Sequence, residues 1–262
     1  VQFELILEKT HMPRLRGGIR PSPFDGRYEQ WMGQGTTKAQ VELPRVPIKN
    51  QGSKVDCCTA MAVCTAMEMV DSSRNNYIPL SPLFNYYYSR VNPDKRLGAV
   101  PLSFALRSAM TIGVSSYALH PYQATVDNAF IRPVKNANEQ AKYHKIGFDF
   151  TTNWPGYMKL DNNDRLNNWR GVLAAGYPVI AAVFLQKSYW DGRGIITSAD
   201  EKSGGLHAVC VVGFNNKQRV FYVQDSRGLE FAYQGCWLLG YSVLQTTRVH
   251  ESWTISMLSY DY

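Results

Sequence analysis

The chain reads as an α+β protein, with helices gathered in its first half and strands in its second. Three observations predict this. Residues 57–70 are a run of small and apolar residues broken only by Thr59, Thr65 and Glu68, with no proline or glycine inside it. Such a run is a helix that is apolar nearly all round and therefore central and buried. Two further helical segments follow, one opened by Ser81-Pro82 and one closed by Gly113, where a cap, a first-turn proline and a terminal glycine belong. From residue 178 onward, apolar runs of strand length alternate with polar and glycine-bearing turns, which predicts a largely antiparallel sheet or barrel.

Taken in order, residues 1–45 have their own texture. Residues 1–7 suit a short strand or helix. From Met12-Pro13 the segment is rich in Pro, Gly and Arg, and Pro21-Ser22-Pro23-Phe24-Asp25 reads as extended chain and turn. An arm packed on the surface is expected. The chain does not open on methionine, which suggests trimming or processing, and no signal peptide is visible in it. A polar loop over residues 47–56 leads into the central helix, with Asp56 as its expected N-cap. Residues 80–90 and 101–112 are the second and third helices, after which Leu119-His120-Pro121-Tyr122 returns to extended chain. Residues 125–165 are polar, with turn signals at Pro133 and Trp154-Pro155-Gly156, and define no element. Residues 166–175 form a helix closed by Gly176, and residues 178–185 a buried strand. A loop through Gly192, Gly194 and Gly204-Gly205 precedes a second strand, residues 206–214, with His207 at its mouth. Residues 220–228 give a third strand ending in a polar turn, and residues 236–239 a fourth.

Composition narrows the function. With 262 residues, 45% of them hydrophobic, the chain can fill one large or two small lobes. No apolar run approaches a membrane span. The net charge of +7 comes from scattered Lys and Arg, with no basic run or aromatic-basic repeat, so a mildly basic enzyme surface is expected rather than a nucleic-acid or membrane partner. Five cysteines, three of them between positions 57 and 64, form no regular disulfide framework. A reducing compartment, or a lineage that does without bridges, is expected. No cofactor and no metal site is expected, and the chain is expected to be a monomer.

The chemistry is concentrated at the start of the central helix. A cysteine in a first turn meets unpaired backbone N–H groups and the positive end of the helix dipole, both of which favour thiolate. Gln51 offers a side-chain amide a few residues upstream, and such a donor plus the cysteine's own N–H is what an oxyanion hole requires. This stretch resembles the papain family of cysteine proteases, whose motif runs Gln-Gly-x-x-Gly-Ser-Cys-Trp-Ala-Phe and continues to a glutamate ten residues past the nucleophile. Six residues forward from Gln51 is Cys57, whereas ten back from Glu68 is Cys58. Helical spacing is kept more strictly than loop length, so Cys58 is the expected nucleophile and Cys57 the alternative. Farther on, Gly204-Gly205-Leu206-His207-Ala208-Val209 and the following Val212-Gly213-Phe214 resemble the family's Asn-His-Ala-Val and Val-Gly-Tyr. His207 lies about 150 residues after Cys58, close to the separation found in papain-type enzymes. Gln224-Asp225-Ser226-Arg227-Gly228 resembles Lys-Asn-Ser-Trp-Gly, and Tyr233-Gln234-Gly235-Cys236-Trp237 the Asn-Gly-Tyr beyond it.

The resemblance implies a papain-like two-lobe fold. A helical left lobe, about residues 46–125, would face a sheet-rich right lobe, about residues 126–262, across a cleft. It implies a cysteine endopeptidase of bacterial character acting on protein or peptide substrates through a thioester. Cys58 would attack, His207 shuttle the proton, Asp225 orient the ring and Gln51 hold the oxyanion. Gly98 is a candidate for the point where the cleft wall admits a substrate backbone, and Leu206 for lining a subsite. In the family an N-terminal extension often lies along the cleft as a propeptide, and part of residues 1–40 is expected to do so here. Lys54 stands where secreted relatives usually carry a disulfide-forming cysteine. Other departures bear on activity. Asp225 replaces an asparagine and would hold imidazolium more strongly. Arg227 replaces a shielding tryptophan, and would pair with Asp225 or recruit an acidic substrate. Asp56 sets a carboxylate beside the nucleophile and would raise its pKa. Two other readings follow: a transglutaminase-like acyltransferase or amidase with Cys, His and Asp in the same order, and a binding protein on a silenced protease scaffold.

Overall fold

The computed structural model describes residues 19–23, 30–31, 35–94, 97–149, 154–190, 194–199 and 202–259. The expected element over residues 1–7, the turn through Phe24-Asp25, and Gly192 lie outside the described residues. Eight helices are present among them: α1 (Cys58–Ser72), α2 (Pro82–Ser89), α3 (Leu102–Thr111), α4 (Val126–Phe130), α5 (Lys135–Ala141), α6 (Arg165–Ala174), α7 (Lys187–Trp190) and α8 (Tyr241–Leu244). The strands are β1 (Gln30–Trp31), β2 (Gln40–Glu42), β3 (Lys145–Ile146), β4 (Phe148–Asp149), β5 (Trp154–Pro155), β6 (Tyr157–Leu160), β7 (Val179–Gln186), β8 (Ile195–Ile196), β9 (Lys202–Asn215), β10 (Val220–Gln224), β11 (Cys236–Gly240), β12 (Val249–Ile255) and β13 (Leu258–Ser259).

Helix α1 is buried as its composition demands: every residue from Cys58 to Asp71 is inaccessible. Its start differs from expectation by one residue. Cys57, not Asp56, is the N-cap residue, and it makes no side-chain cap. Glu68, one of two carboxylates in this buried run, takes 2.7 Å contacts from Lys49 Nζ on both oxygens and a 2.8 Å bond from the Leu80 N–H. This is how a charge survives in an apolar helix. Helix α2 opens as the Ser-Pro signal requires, with Ser81 Oγ accepting from the Phe84 N–H at 3.1 Å. Gly113, at φ +94°, ends α3, and a Cβ there would fall 1.8 Å from the carbonyl oxygen of Ala141. Only glycine allows α3 and α5 to approach this closely. Helices α4 and α5 occupy the polar stretch that defined no element. Ala129 of α4 joins the core around Met61 and Leu83, and Ala137 and Ala141 of α5 pack on Phe84, so helical packing continues past residue 125.

The second half is a nine-stranded sheet in the order β1-β6-β12-β7-β9-β10-β11-β8, with β2 paired to the far end of β9. The pairs from β6 to β11 are all antiparallel, as is β2 with β9, and only the outermost pairs, β1 with β6 and β8 with β11, are parallel. β9 starts at Lys202, so Gly204 and Gly205 lie inside this strand rather than in the loop expected before it. Alternation along β9 then does two jobs. Leu206, Ala208, Cys210 and Val212 pack with α1, whereas Val209 and Val211 face a second core built on Trp169, Phe214 and Phe221. His207 shares the parity of Val209 and sits opposite Val183 of β7.

Part of the N-terminal segment is structural. β2 is a strand of the sheet, and Ile19 forms an antiparallel bridge with Leu206. Ser22 is tied to both halves: its Oγ donates to Glu251 Oε1 at 2.9 Å and accepts from the Ser103 N–H at 3.1 Å. No helix among the described residues is long and apolar enough to cross a membrane.

Candidate active site

The loop that carries Gln51 is fixed by backbone pairing to the turn that follows β10. Gly228 N–H donates to Lys49 O at 3.0 Å, Asn50 bridges Arg227, and Gln51 N–H donates to Ser226 O at 2.8 Å. Gly52 completes the turn at φ +64°, its N–H on Asn50 Oδ1 at 2.9 Å. The Gln51 amide is oriented as well. Ser226 Oγ donates to its Oε1 at 2.7 Å, so Nε2 is the end without a partner among the described residues. A donor preset in this way loses no orientation when a ligand oxygen arrives.

His207 meets Asp225 directly, with Cys58 near the ring. His207 Nε2 and Asp225 Oδ1 are 2.9 Å apart, both side chains almost wholly buried. Cys58 lies close enough to the ring to raise its pKa. Burial works against an imidazolium here, but the Asp225 charge and hydrogen bond outweigh it, with help from Cys58, and push the His207 pKa up from 6.5 to about 9. Asp225 moves the other way. Burial opposes its charge, but His207, Arg227 and the Tyr189 hydroxyl hold its carboxyl below the ordinary value of 3.8. Ring and carboxylate are therefore a charged pair at neutral pH.

Cys57 faces elsewhere. Its thiol is 3.2 Å from Tyr122 Oη, in the core formed with Val55, Met61 and Tyr86. Tyr122 places its own proton on Gln51 O at 2.7 Å, so the Cys57 S–H must be the donor to the phenol. Burial pushes this thiol up to about 12, and the charges of Cys58 and Asp56 add to the rise. Asp56, the residue before it, therefore bears on Cys57. All five cysteines are buried free thiols.

Arg227 forms no ion pair with Asp225 among the described residues, contrary to one expectation. Its guanidinium carbon lies 4.5 Å over the Trp190 ring, 5.4 Å from that of Phe231 and 5.5 Å from that of Tyr189. Cation–π attraction holds it, and its charge reaches Asp225 through space.

The other two candidates lie apart from these contacts. Gly98, at φ +151°, has open space where a Cβ would be and is held at both N–H and C=O by Tyr86 Oη at 3.0 Å. It lines a cavity of about 490 Å³ with Arg20, Pro23, Arg90, Val100 and Phe104. Leu206 is buried against α1 beneath the Ile19 bridge.

Two contributors were missed in the sequence. Tyr189 Oη and Trp237 Nε1 each reach Asp225 Oδ2 at 2.9 Å. Trp237 falls inside a quoted motif and Tyr189 in the residues after β7, and the available signal was general: a buried Tyr or Trp needs an acceptor. Among the described residues no cluster of three or more His, Cys, Asp or Glu side chains could hold a metal ion.

Comparison with known proteins bears on family and fold. The profile of the peptidase C39-like family matches residues 45–237. An uncharacterized peptidase C1-like protein, L477 of Acanthamoeba polyphaga mimivirus, is 26% identical over 260 residues, covering 92% of this chain and 78% of that one. Among solved structures, xylellain, a cysteine protease from Xylella fastidiosa, superimposes with a TM-score of 0.80 at 19% identity, covering 98% of this chain and 100% of its own. Bromelain from Ananas comosus, solved with the inhibitor E64, gives 0.65 at 17% identity over 84% of this chain and 100% of its own. The two-lobe α+β fold expected from the motifs is therefore the fold observed.

Proposed function

The chain belongs to the peptidase C39-like family and is a papain-like cysteine peptidase, and from that premise we propose that it cleaves peptide bonds with Cys58 as nucleophile, His207 as proton carrier, Asp225 behind the ring and Gln51 on the oxyanion. What supports this reading is the buried His207–Asp225 pair, with Cys58, the first residue of α1, close enough to raise the pKa of the ring. The Cys58 thiol passes its proton to His207, and the imidazolium, the helix N-terminus and the first-turn N–H groups stabilise the thiolate. Sulfur attacks the carbonyl carbon of the substrate. Gln51 Nε2 and the Cys58 N–H receive the oxyanion, each such donor contributing roughly 3 to 4 kcal/mol in comparable sites. His207 protonates the departing amine, and then activates the water that hydrolyses the thioester.

Incubation with an epoxysuccinyl inhibitor, read by intact mass and peptide mapping, tests the assignment. Wild-type protein and Cys57→Ala gain one inhibitor mass on Cys58, whereas Cys58→Ala gains none. Labelling of Cys57, or continued labelling of Cys58→Ala, would overturn it. The buried, proton-donating thiol of Cys57 supports this choice between the neighbours.

The same reading assigns the N-terminal segment to the cleft as a cover. What supports it is the Ile19 bridge to Leu206, next to His207, and the double tie of Ser22 to Glu251 and Ser103. Removal of residues 1–23 raises the rate of inhibitor labelling if this is correct, and an unchanged rate refutes it.

A further inference from the structure

Asp225 is surrounded by hydrogen-bond donors. Its Oδ1 takes the Ser226 N–H at 2.7 Å and lies 2.9 Å from His207 Nε2, and its Oδ2 takes Tyr189 Oη and Trp237 Nε1 at 2.9 Å each. The donors come from four separate places: the turn after β10, β9, the short helix α7 and β11. The ionisable groups around the carboxylate are His207, Tyr189 and Arg227, with Cys58 beyond the ring and Cys236 at the start of β11. Rings of Tyr189, Trp237 and Phe231 close the site, Tyr189 standing 5.7 Å from Trp237 and 5.0 Å from Phe231. A carboxylate is acceptor-only and can satisfy four donors at once. An amide cannot.

We propose that Tyr189 and Trp237 are positioning residues whose donors restrict position 225 to a carboxylate, so that the thiol–imidazole pair of this chain works only with an anion behind the ring. The inference rests on the reading of Cys58 and His207 as the reacting pair. Its physical core is the difference between the two halves of an asparagine side chain. With its oxygen towards His207, an asparagine at 225 would turn its NH2 onto the Trp237 N–H, donor against donor, and the indole has no acceptor to offer. With its oxygen turned to Tyr189 and Trp237, its NH2 would face His207 Nε2. The ring would then have to carry its proton on the nitrogen facing Cys58, where it could not accept the thiol proton. One orientation sets donor against donor at Trp237, and the other disables the pair. The two supporting residues differ, because a phenol can turn from donor to acceptor and an indole cannot. The rise of the Tyr189 pKa well above 10, caused by burial and by Asp225, keeps the phenol protonated throughout the working range.

The experiment is a set of double-mutant cycles read as the second-order rate of epoxysuccinyl labelling of Cys58. Trp237→Phe slows labelling about three- to tenfold on the Asp225 background, where it removes a donor from the anion. On the Asp225→Asn background the same substitution speeds labelling at least threefold, because it removes the opposed donor. Tyr189→Phe slows labelling on both backgrounds. The reversal of sign is the signature, since a residue that only packs would have the same effect on both. Near-ultraviolet circular dichroism checks that each variant is folded, and if Asp225→Asn/Trp237→Phe does not fold, Asp225→Asn/Trp237→Leu takes its place. An equal effect of the Trp237 substitution on both backgrounds would overturn the inference while leaving Cys58 as nucleophile. Labelling that persists in Cys58→Ala would instead overturn the reading beneath it.

Discussion

Replacing Asp225 by alanine removes the charge that holds the ring protonated, and its consequence can be worked out from the site. The rise of His207 from 6.5 to about 9 corresponds to about 3 kcal/mol of preference for imidazolium. Without the carboxylate only burial and the Cys58 contact remain, and burial lowers the ring's pKa. At pH 7.5 a group titrating at about 9 is almost fully protonated, whereas one at 6.5 is protonated in about one molecule in ten. The rate of epoxide labelling at pH 7.5 should therefore fall about tenfold or more, and the alkaline limb of its pH profile should move from about 9 to below 7. The assay is the second-order labelling rate between pH 5 and 10, read by intact mass. An alkaline limb that stays near 9 in Asp225→Ala would refute the charged-pair argument. Stability carries the same signature. Because the folded-state pKa of His207 is raised, its contribution is complete below about 6.5 and is lost as pH rises through about 9. The lowered pKa of Asp225 gives a contribution present above 3.8 and lost as pH falls through its folded value.

Three other outcomes follow. Gln51→Ala should lower kcat by about 10² to 10³ with little change in KM, because its amide is oriented for an oxygen that appears only in the transition state. Lys49→Met should destabilise the fold by about 3 to 5 kcal/mol by leaving Glu68 buried and unpaired, and Lys49→Met/Glu68→Leu should recover most of that loss in urea denaturation. Gly113→Ala should lower the thermal midpoint by several degrees, since neither φ +94° nor the 1.8 Å approach to Ala141 tolerates a methyl group.

The parts of the fold that were legible are those where one local pattern decides the outcome. The α1 run lacks any polar stripe, so burial follows. Ser81-Pro82 supplies a cap and a fixed φ, and α2 begins there. The apolar run at 178–185 and the strand through His207 declare themselves by composition. Where pairing is long-range, the local pattern misleads or says nothing. β12 contains Glu251, Ser252 and Thr254, all buried, and these erase the alternation that would mark a strand. Gly204 and Gly205 look like loop but lie inside β9, where its register with β7 shifts and Gly204 lies close against Leu185. In the site, His207 meets Asp225, Cys58 acts on the ring, and Ser226 ties Gln51 to the turn that carries Asp225. The ends of Tyr189 and Trp237 that meet Asp225 were invisible, because a donor's partner is fixed by the packing of four elements rather than by any neighbour in sequence.

The position of β12 has a bearing on how the molecule is made. This strand lies between β6 and β7, although about sixty residues of chain separate it from β7. During synthesis β6 and β7 leave the ribosome long before the strand that joins them, and each waits with an open edge. A nascent chain stopped short of residue 249 would expose both edges and lack Glu251, the acceptor for Ser22. Such a fragment should be a substrate for chaperones rather than a partial enzyme.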